Sequence, residues 1–520
     1  MHDLVIVGSG PAGFAAALAC RGRNVLVVDP GYAPDASIPR GGSPLTELKL
    51  NGTIDRQSII GSKFESLHNI HSDYLSPKIK GPCMRFITHC ADLWTPVQST
   101  SFLACLSLAR GGLANAWGAG AFRYNTDELR SFPFHAHELD EFYETLTRYV
   151  GICGAHDDLE GSFGPPDSHL APPRLGQAGK DLFSRTRRHR EWLLRQGLRI
   201  GLPRLALLTE SHRGQEPYAY DGLEFFYPHK HAIFNPGQAV LDLAEHGKVS
   251  YLPGVLVERF RTGPDHVEIL GRHIADSSPW SLSAKKIALA AGAINTARIV
   301  LASASDHVTR IPIRDNPISY IPLLDPLRIG YPHDSNCLPA QGIMILENGF
   351  GAEPVQMSYY GLNTTLWGDV GFDMPLPAPV LSRAIRTLLP AMRIVQVFYP
   401  DTGDPRGYCR LDPQGHMEIE YRQVERGAVE KRMISLMRHL GYYGHSRLCK
   451  YPMAGNSFHY AGTIPMRKDP SGFEVAPDGS LANAPGVYVV DAAIFPKLPS
   501  KNLTLTIMAN SMRIASRLAG

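Results

Sequence analysis

Short apolar runs and a glycine turn alternate at the beginning of the chain. Leu4–Val7 is a continuous apolar run, and the turn Gly8–Gly13 separates it from an Ala-rich stretch that ends near Cys20. A second apolar run, Val25–Val28, ends at Asp29. Short apolar runs are typical of buried strands, and a longer Ala-rich stretch between them is typical of a helix. The pattern predicts the strand, turn, helix and strand of an α/β fold with a Rossmann-like unit.

Each glycine of this turn has a distinct structural role. Gly8 permits a tight turn, Gly10 lets a pyrophosphate approach the backbone, and Gly13 lets the helix pack against the strand. Free N–H groups at the start of the helix favour a phosphate group. The predicted cofactor-binding residues of the turn are Gly8, Ser9, Gly10, Pro11, Ala12 and Gly13. Asp29 is predicted to accept hydrogen bonds from ribose hydroxyls, which disfavours NADP and leaves FAD and NAD open.

The middle of the chain has the alternation of an antiparallel sheet. Val355–Tyr360, Arg393–Tyr399, Gly407–Leu411 and His416–Tyr421 are predicted strands of this sheet. An amphipathic helix with apolar residues at helical spacing is predicted over Val429–Leu440. A sheet covered by helices on one face has its other face free to line a pocket. This region is therefore predicted to form a substrate platform.

The last part of the chain repeats the strand-and-turn pattern. Ala284–Leu289 is a predicted strand that runs into the glycine turn and helix of Ala290–Arg298. Gly486–Val490 is a further apolar strand, and it ends in Asp491. Lys501–Ala509 opens the terminal helix. The pattern is that of a second strand, turn and helix of the nucleotide-binding type.

Composition excludes several classes of function. The 520 residues carry 52 Lys and Arg against 49 Asp and Glu, a net charge of +3, which predicts no nucleic-acid partner. The eight cysteines are scattered without a Cys-x-x-Cys pair, so neither a metal site nor a redox dithiol is expected. No apolar stretch reaches the roughly 20 residues of a transmembrane helix. Since Met1–Asp3 lead into an apolar run without a basic export segment, a cytoplasmic protein is expected.

Together these elements resemble the glucose-methanol-choline (GMC) oxidoreductases, flavoproteins that oxidise alcohols with FAD. Gly8–Gly13 resembles the ADP-binding turn of that family, and Ala290–Arg298 resembles its Ala-Ala-Gly-Ala element. His459–Met466 resembles its His-x-x-Gly-Thr-x-x-Met motif. Asp491 and Asn502–Ala509 resemble its final flavin-binding strand and helix. The resemblance implies FAD rather than NAD.

The flavin loop of the family is similar to Arg110–Gly118, which lies nearer to the pyranose-oxidase-like branch. Some sugar-oxidising members place a histidine that bonds covalently to FAD before a tryptophan, whereas this chain has Ala116 before Trp117. A non-covalent FAD is therefore expected. Arg467 and Leu503 stand where Gly and Pro are common in the family. The further cofactor-binding residues that the resemblance implies are Arg110, Gly112, Asn115, Ala116, Trp117, Val257, Ala291, Gly292, Asp491, Ala492, Leu503 and Thr504.

The predicted catalytic residues are His459 and Asn502. A histidine has an unperturbed pKa of about 6.5 and is suited to accept the hydroxyl proton of an alcohol. The alternative for His459 is a purely structural histidine, which its Gly-Thr context disfavours. The amide of Asn502 would hold the same oxygen and stabilise developing alkoxide charge. Asparagine is also a good helix N-cap, and both roles are compatible for Asn502.

The resemblance implies two domains. A discontinuous FAD-binding domain is expected from residues 1–130, 211–310 and 451–520. A substrate domain with an antiparallel sheet and helices is expected from residues 131–210 and 311–450.

The implied reaction is oxidation of a CH–OH group to a carbonyl, with hydride transfer to flavin N5. The expected substrate is a small alcohol such as a sugar, a glycoside or another natural product, and oxygen or another acceptor removes the electrons. No motif identifies the alcohol. Two alternatives stay open: a lyase or isomerase of the same fold without net redox, and a catalytically silent FAD-binding scaffold.

Overall fold

The computed structural model describes residues 1–34, 61, 62, 79, 81–220, 231–332, 334, 338, 340–361 and 378–518. The described strands are β1 (His2–Val7), β2 (Val25–Asp29), β3 (Val97–Gln98), β4 (Leu198–Gly201), β5 (Ser250–Pro253), β6 (Val255–Thr262), β7 (Val267–His273), β8 (Pro279–Leu289), β9 (Ile311–Ile313), β10 (Ile318–Leu324), β11 (Ala340–Phe350), β12 (Glu353–Gly361), β13 (Met392–Phe398), β14 (Gly407–Leu411), β15 (Met417–Tyr421) and β16 (Val487–Val489).

The described α-helices are α1 (Pro11–Ala19), α2 (Ala91–Trp94), α3 (Thr126–Leu129), α4 (Asp140–Val150), α5 (Glu160–Phe163), α6 (Gln177–Arg195), α7 (Pro236–Glu245), α8 (Ala293–Ala304), α9 (Ala378–Leu388), α10 (Ala428–His439) and α11 (Thr504–Leu518). Short 3-10 helices cover Pro82–Ile87, Gly112–Asn115, Ala136–Leu139, Pro326–Arg328, Leu389–Ala391, Ser446–Leu448 and Ala492–Ile494. None of these described helices combines the length and the apolar character needed to cross a membrane.

The first sheet has the parallel pairing that the glycine turn predicts. Its order is β5-β2-β1-β8-β7-β6, with β16 also paired to β8. β1 is parallel to both β2 and β8, and β16 is parallel to β8, so strands from both ends of the chain meet here. Helices α1 and α11 lie against each other, and Ser511 Oγ donates to the carbonyl oxygen of Ala12 at 2.7 Å. The strands of α/β sheets are covered on both faces, which explains their continuous apolar runs.

Two positions accept only glycine, one in the turn after β1 and one in the first turn of α1. Gly8 has a φ of +106°, and a Cβ there would lie 2.5 Å from the carbonyl oxygen of Ala290. A Cβ on Gly13 would lie 1.9 Å from the carbonyl oxygen of Gly8. Such contacts with backbone atoms are far inside van der Waals separation, and backbone cannot move aside as a flexible side chain can. The close packing expected of Gly13 is therefore present.

The second sheet is antiparallel and carries different chemistry on its two faces. Its order is β10-β13-β12-β11-β4. Met357 and Val397 pack in an apolar cluster with Met433 of α10. Since side chains alternate across a strand, neighbouring residues such as Tyr320 and Gln396 face the other way and line a large cavity. This is the expected platform, with helices behind it and a free face in front.

The hairpin of β14 and β15 corrects one detail of the expected platform. The two strands pair with each other as predicted, and Met417, Ile419 and Tyr421 are buried as their alternation requires. However, they belong to a separate third sheet with the order β3-β15-β14-β9. β14 pairs with β9 and β15 pairs in parallel with β3, so the edges of the hairpin are occupied by strands distant in sequence.

We expect Gly13→Ala to destabilise the fold, because its Cβ has no space against the Gly8 carbonyl. Overpacking of this kind costs about 1–3 kcal/mol, or more where only backbone can give way. Gly161→Ala is the matched control, since nothing lies within 4 Å of a Cβ at that helical position. Thermal unfolding followed by circular dichroism should show a lower midpoint for Gly13→Ala alone. Equal midpoints for the two variants would contradict the close helix-strand contact.

Candidate active site

A cavity of about 1790 Å³ lies against both the first and the second sheet. Its walls include the glycine turn after β1, the turn after β8, the segment around His459 and the start of α11. The free face of the second sheet supplies Tyr320, Tyr360, Gln396 and Phe398. Ligand sites of α/β folds occupy such a crevice at the carboxyl ends of parallel strands. The cavity is the candidate active site.

Most of the residues predicted from the sequence meet in this one cavity. The following line it: Gly8, Ser9, Gly10, Pro11, Ala12, Asp29, Gly112, Ala116, Trp117, Val257, Ala291, Gly292, His459, Asp491, Ala492, Asn502, Leu503 and Thr504. Gly13, Arg110 and Asn115 do not line it. Residues separated by almost the whole chain are thus brought together by the parallel pairing of β1, β8 and β16.

The carboxylate of Asp29 is held by the protein itself. Its Oδ2 accepts from the backbone N–H of Ser9 at 3.1 Å and from the Ser9 hydroxyl. Its Oδ1 accepts from the hydroxyl of Tyr251 at 2.8 Å. Burial raises the pKa of Asp29 to about 6. Asp29 therefore ties the end of β2 to the glycine turn, and its predicted contact with a ribose stays a prediction.

Asn115 stabilises the predicted flavin loop from within. Its Nδ2 donates to the carbonyl oxygens of Arg110 and Gly112 at 2.9 and 2.7 Å. Its Oδ1 accepts from Nδ2 of Asn235 at 2.8 Å. The backbone N–H of Gly111 donates to Ser9 Oγ at 2.9 Å, which joins the loop to the glycine turn. The amide of Asn115 is thus used for the loop, whereas Gly112, Ala116 and Trp117 face the cavity.

Asp491 joins the segment after β16 to the turn between β8 and α8. Its Oδ2 accepts from the backbone N–H of Gly292 at 2.8 Å and from the hydroxyl of Thr296 at 2.5 Å. Its Oδ1 accepts from the N–H of Ala493 at 2.9 Å. Burial raises the pKa of Asp491 to about 6. The strand that ends at Asp491 is therefore fastened to the first turn of α8.

The residues around the glycine turn fit FAD. A Cβ on Gly10 would meet only one protein atom within 4 Å, the carbonyl oxygen of Gly111 at 3.9 Å, so the backbone is open toward the cavity. Gly10 is also the N-cap of α1, and the first N–H groups of a helix favour phosphate. The start of α11 at Thr504 lines the same cavity. Open backbone, two helix N-termini and one long cavity are what a dinucleotide requires.

His459 lies in the cavity wall with its ring position determined by three contacts. Its Nδ1 is 3.1 Å from Oδ1 of Asn316. Its backbone N–H donates to Ser457 Oγ at 3.0 Å. The ring of Phe398 stacks on the imidazole with the ring centroids 5.2 Å apart and the planes at 15°. Burial lowers the pKa of His459 to about 4. The ring is therefore neutral at pH 7 and able to accept a proton.

Asn502 is oriented by a bidentate contact with Gln356, a completely buried residue of β12. Nε2 of Gln356 donates to Oδ1 of Asn502 at 3.1 Å, and the backbone N–H of Asn502 donates to Oε1 of Gln356 at 3.1 Å. The N-cap role expected for the Asn502 side chain is therefore wrong, because its oxygen binds Gln356 and α11 begins at Thr504. Its Nδ2 has no hydrogen-bond partner among the described residues and is available to a ligand.

A run of buried polar residues, Arg314–Asn316, connects the third sheet to the second. Arg314 Nη1 donates to the carbonyl oxygen of Asp401 at 2.9 Å. Asp315 accepts from the N–H of Gly455 at 2.8 Å and from the hydroxyl of Ser457 at 2.5 Å. Burial raises the pKa of Asp315 to about 7. This run positions the segment that carries His459.

A row of polar side chains crosses the free face of the second sheet. The hydroxyl of Tyr360 donates to Oε1 of Gln396 at 3.1 Å, and Nε2 of Gln396 donates to the hydroxyl oxygen of Tyr320 at 3.4 Å. Tyr359, the neighbour of Tyr360 in β12, faces the helices and is buried in the core. The row gives the cavity hydrogen-bonding groups next to the stacked ring of Phe398.

Sequence reasoning missed Asn316, Gln356, Phe398 and Gln396. The available signal was a polar residue inside an apolar strand, as in Val355-Gln356-Met357 and Val395-Gln396-Val397. Such a residue must find a hydrogen-bond partner when buried. Nothing in the spacing says that the partner is Asn502, which is 146 positions away along the chain.

Comparisons with known proteins agree with this geometry. Residues 412–511 match the family model of the GMC oxidoreductases. The chain is 22% identical to the C-glycoside 3-oxidase of Microbacterium trichothecenolyticum over 99% of this chain and 96% of that protein. Pyridoxine 4-oxidase from Mesorbium loti has a similar fold, with a TM-score of 0.61, 13% identity and coverage of 99% of both chains. A fungal aryl-alcohol oxidase has a TM-score of 0.54 at 15% identity and covers 100% of this chain and 98% of its own.

The resemblance to the GMC oxidoreductases that the sequence predicts is confirmed. The predicted α/β fold, with a Rossmann-like domain and a substrate domain, is also confirmed. At the level of this family, the prediction of an FAD-dependent alcohol oxidoreductase is confirmed as well.

We expect Gly10→Val to fold but to bind FAD at least about tenfold more weakly. The φ of Gly10 is −66°, and a Cβ there meets only the carbonyl oxygen of Gly111 at 3.9 Å. The added side chain therefore projects into the cavity where a pyrophosphate would approach. The measurement is FAD affinity by quenching of flavin fluorescence, together with thermal unfolding of the FAD-free protein. Gly161→Ala serves again as the control. Wild-type affinity in Gly10→Val would show that the turn does not hold the pyrophosphate.

Proposed function

We propose that this protein oxidises the CH–OH group of a small hydroxylated natural product, such as a sugar or glycoside, to a carbonyl. His459 is the general base, Asn502 holds the reacting oxygen, and FAD is bound without a covalent link. The observation that carries the proposal is that His459 and Asn502 line the same cavity as the glycine turn, while Nδ1 of His459 and Oδ1 of Asn502 are held by Asn316 and Gln356.

The proton of the substrate hydroxyl goes to Nε2 of His459. Nδ1 is occupied by Asn316, whereas Nε2 has no hydrogen-bond partner among the described residues. A neutral imidazole with a pKa lowered to about 4 by burial is a weak base toward water, but it is not protonated before the substrate arrives. The base is thus in its active form throughout the neutral range.

The oxygen that loses this proton receives a hydrogen bond from Nδ2 of Asn502. The oxygen of this amide is engaged by Gln356, so only its N–H groups can face the substrate. A positioned donor stabilises negative charge as it develops, and it costs no reorganisation during the reaction. His459 and Asn502 therefore act on one oxygen from two sides.

The carbonyl forms when the hydrogen on the same carbon leaves with both electrons of the C–H bond. When bound, FAD supplies the acceptor for this hydride at its N5 atom. The residues predicted to hold the cofactor are those of the glycine turn, the loop around Ala116 and Trp117, and the starts of α8 and α11. Oxygen or another electron acceptor is then required as the second substrate.

A polyhydroxylated substrate is supported by the row Tyr320, Gln396 and Tyr360 on the free sheet face, since hydroxyl and amide groups match the hydroxyls of a sugar. Phe398 next to His459 offers an apolar surface beside the reacting carbon. The C-glycoside 3-oxidase relative also supports a glycoside. The proposal includes an FAD-binding domain formed by residues 1–130, 211–310 and 451–520 and a substrate domain formed by residues 131–210 and 311–450. It also includes a cytoplasmic location.

Anaerobic reduction distinguishes this function from its alternatives. A panel of sugars, glycosides, polyols, sterols and aliphatic alcohols is added to the holoenzyme without oxygen, and the flavin absorbance is followed. Bleaching by a hydroxylated compound is the expected result. A lyase or isomerase of the same fold turns its substrate over without net bleaching, and a silent scaffold is reduced by none of the compounds.

The cofactor is expected to leave the denatured protein as free FAD, because Ala116 offers no nucleophile at the position where some relatives bind it covalently. The protein is precipitated with acid or heat, and the flavin in the supernatant and in the pellet is measured. Flavin that stays with the polypeptide would contradict non-covalent binding.

His459→Ala is expected to retain FAD and to reduce it about 10²- to 10⁴-fold more slowly, the usual cost of losing a general base. Asn502→Ala should have a smaller effect, because His459 still contacts the oxygen. The double variant should lose less than the product of both effects, since the two groups act on one oxygen. The measurement is anaerobic stopped-flow reduction, with the exposed His266→Ala as the control. A wild-type rate in His459→Ala would place the base elsewhere.

The same experiment has a pH signature. With a pKa of about 4, His459 is deprotonated at neutral pH and gains a proton as the pH falls toward 4. The reduction rate should therefore be level near neutrality and decrease in acid, and the residual rate of His459→Ala should lack this decrease.

A further inference from the structure

Asn316 is a buried residue whose amide can have only one orientation. Its Nδ2 lies 2.9 Å from the carbonyl oxygen of Tyr399 and 2.9 Å from the carbonyl oxygen of Pro499. Carbonyl oxygens only accept hydrogen bonds, so the atom between them must be the nitrogen. A flipped amide would place three acceptors together in a site with no solvent exposure, which is costly.

This orientation determines what His459 meets. The remaining atom of the amide, Oδ1, lies 3.1 Å from Nδ1 of His459. An amide oxygen accepts and cannot donate, so Nδ1 must carry the hydrogen in this contact. In a neutral imidazole the other nitrogen, Nε2, then holds the lone pair. That nitrogen belongs to the ring that lines the cavity.

The other contacts of His459 leave the tautomer undecided. The stacked ring of Phe398 determines the ring plane but does not distinguish between the two nitrogens. The bond from the backbone N–H of His459 to Ser457 Oγ positions the main chain only. Within the described part of the chain, Asn316 is therefore the group that selects between the tautomers.

We propose that Asn316 is a positioning residue that holds His459 as the Nδ1–H tautomer, with the Nε2 lone pair directed to the substrate. This inference rests on the proposed function of His459 as the base. Asn316 carries no charge, so it orients the ring without the electrostatic attraction by which a carboxylate would favour the protonated form. The neutral ring is held ready, and after proton uptake Nδ1–H keeps the same hydrogen bond.

The first test needs no substitution at Asn316. The holoenzyme is labelled with ¹⁵N in its histidine rings, and the His459 signals are assigned by their absence in His459→Ala. At neutral pH the Nδ1 resonance should have the shift of a protonated nitrogen and Nε2 that of an unprotonated one. The opposite pattern, or rapid exchange between the two, would overturn the proposal.

The second test replaces Asn316 by leucine, which has a similar size but no acceptor. Asn316→Leu should shift the His459 signals toward a mixture of tautomers and slow anaerobic flavin reduction by about 10- to 100-fold, as loss of a supporting partner typically does. FAD content should be unchanged.

Ser319→Ala is the matched control. It removes a buried hydrogen bond in the same region, from the Ser319 hydroxyl to Glu430, and it contacts neither Asn316 nor His459. It should keep the wild-type tautomer and rate. Slower reduction in Asn316→Leu with an unchanged His459 spectrum would show a merely structural role and overturn the proposal, as would wild-type values of both.

Failure of the proposed function would give a different experimental result from failure of this inference. If His459→Ala reduces its flavin at the wild-type rate, the base is another residue, whatever the tautomer of His459. If Asn316→Leu does not fold, the spectrum of the wild-type holoenzyme still decides the assignment of the tautomer.

Discussion

The active site depends on the burial of three consecutive polar residues, Arg314–Asn316, between two sheets. Each of them is at most 6% exposed. A buried polar group without a partner costs about 1–3 kcal/mol, and a charged one costs more. Each residue therefore requires its partner in one arrangement: Arg314 binds Asp401, Asp315 binds the segment before His459, and Asn316 binds His459 itself. The position of the base follows from satisfying these groups.

The same constraint acts on the other side of the reacting centre. Gln356 is an amide in an otherwise apolar strand, and it satisfies both of its ends on Asn502. The two side chains that we propose to be catalytic are each oriented by a buried amide from a different part of the chain. An amide suits this task because it donates from one atom and accepts at the other, so it imposes a direction on its partner without adding charge. Burial in this site also lowers the pKa of His459 to about 4.

The first and second sheets offer different groups to the cavity, which suits the cavity to hold both a cofactor and a substrate. The first sheet meets the cavity at the carboxyl edge of β1 and β8, where glycine turns expose backbone. The second sheet is covered on one face by apolar packing against α10 and is open on the other. An open edge provides N–H groups for phosphates. An open face provides alternate side chains for recognition, here the row Tyr320, Gln396 and Tyr360.

The local secondary structure was predictable from the sequence. The glycine turn at Gly8–Gly13, the alternation in β15 and the helical spacing of α10 are encoded by neighbouring residues, and the structure has each of them. The motif around His459 also led to the proposal that this residue is the base, because its Gly-Thr context is local. The hairpin of β14 and β15 marks the limit: its pairing follows from its short turn, whereas its assignment to a third sheet depends on β9 and β3.

The sequence by itself determined the fold class and the glycine turn, and it pointed to His459 and Asn502 as the pair that we propose to act on the substrate. Only the tertiary structure decided how that pair is oriented. The partners of His459 and Asn502 are 143 and 146 positions away along the chain, and no periodicity connects them. Periodicity reports which face of an element is buried, since the buried face of a strand or helix is mostly apolar. The partner of a buried polar atom is instead set by the packing of whole sheets, and this packing is known only when the chain has folded.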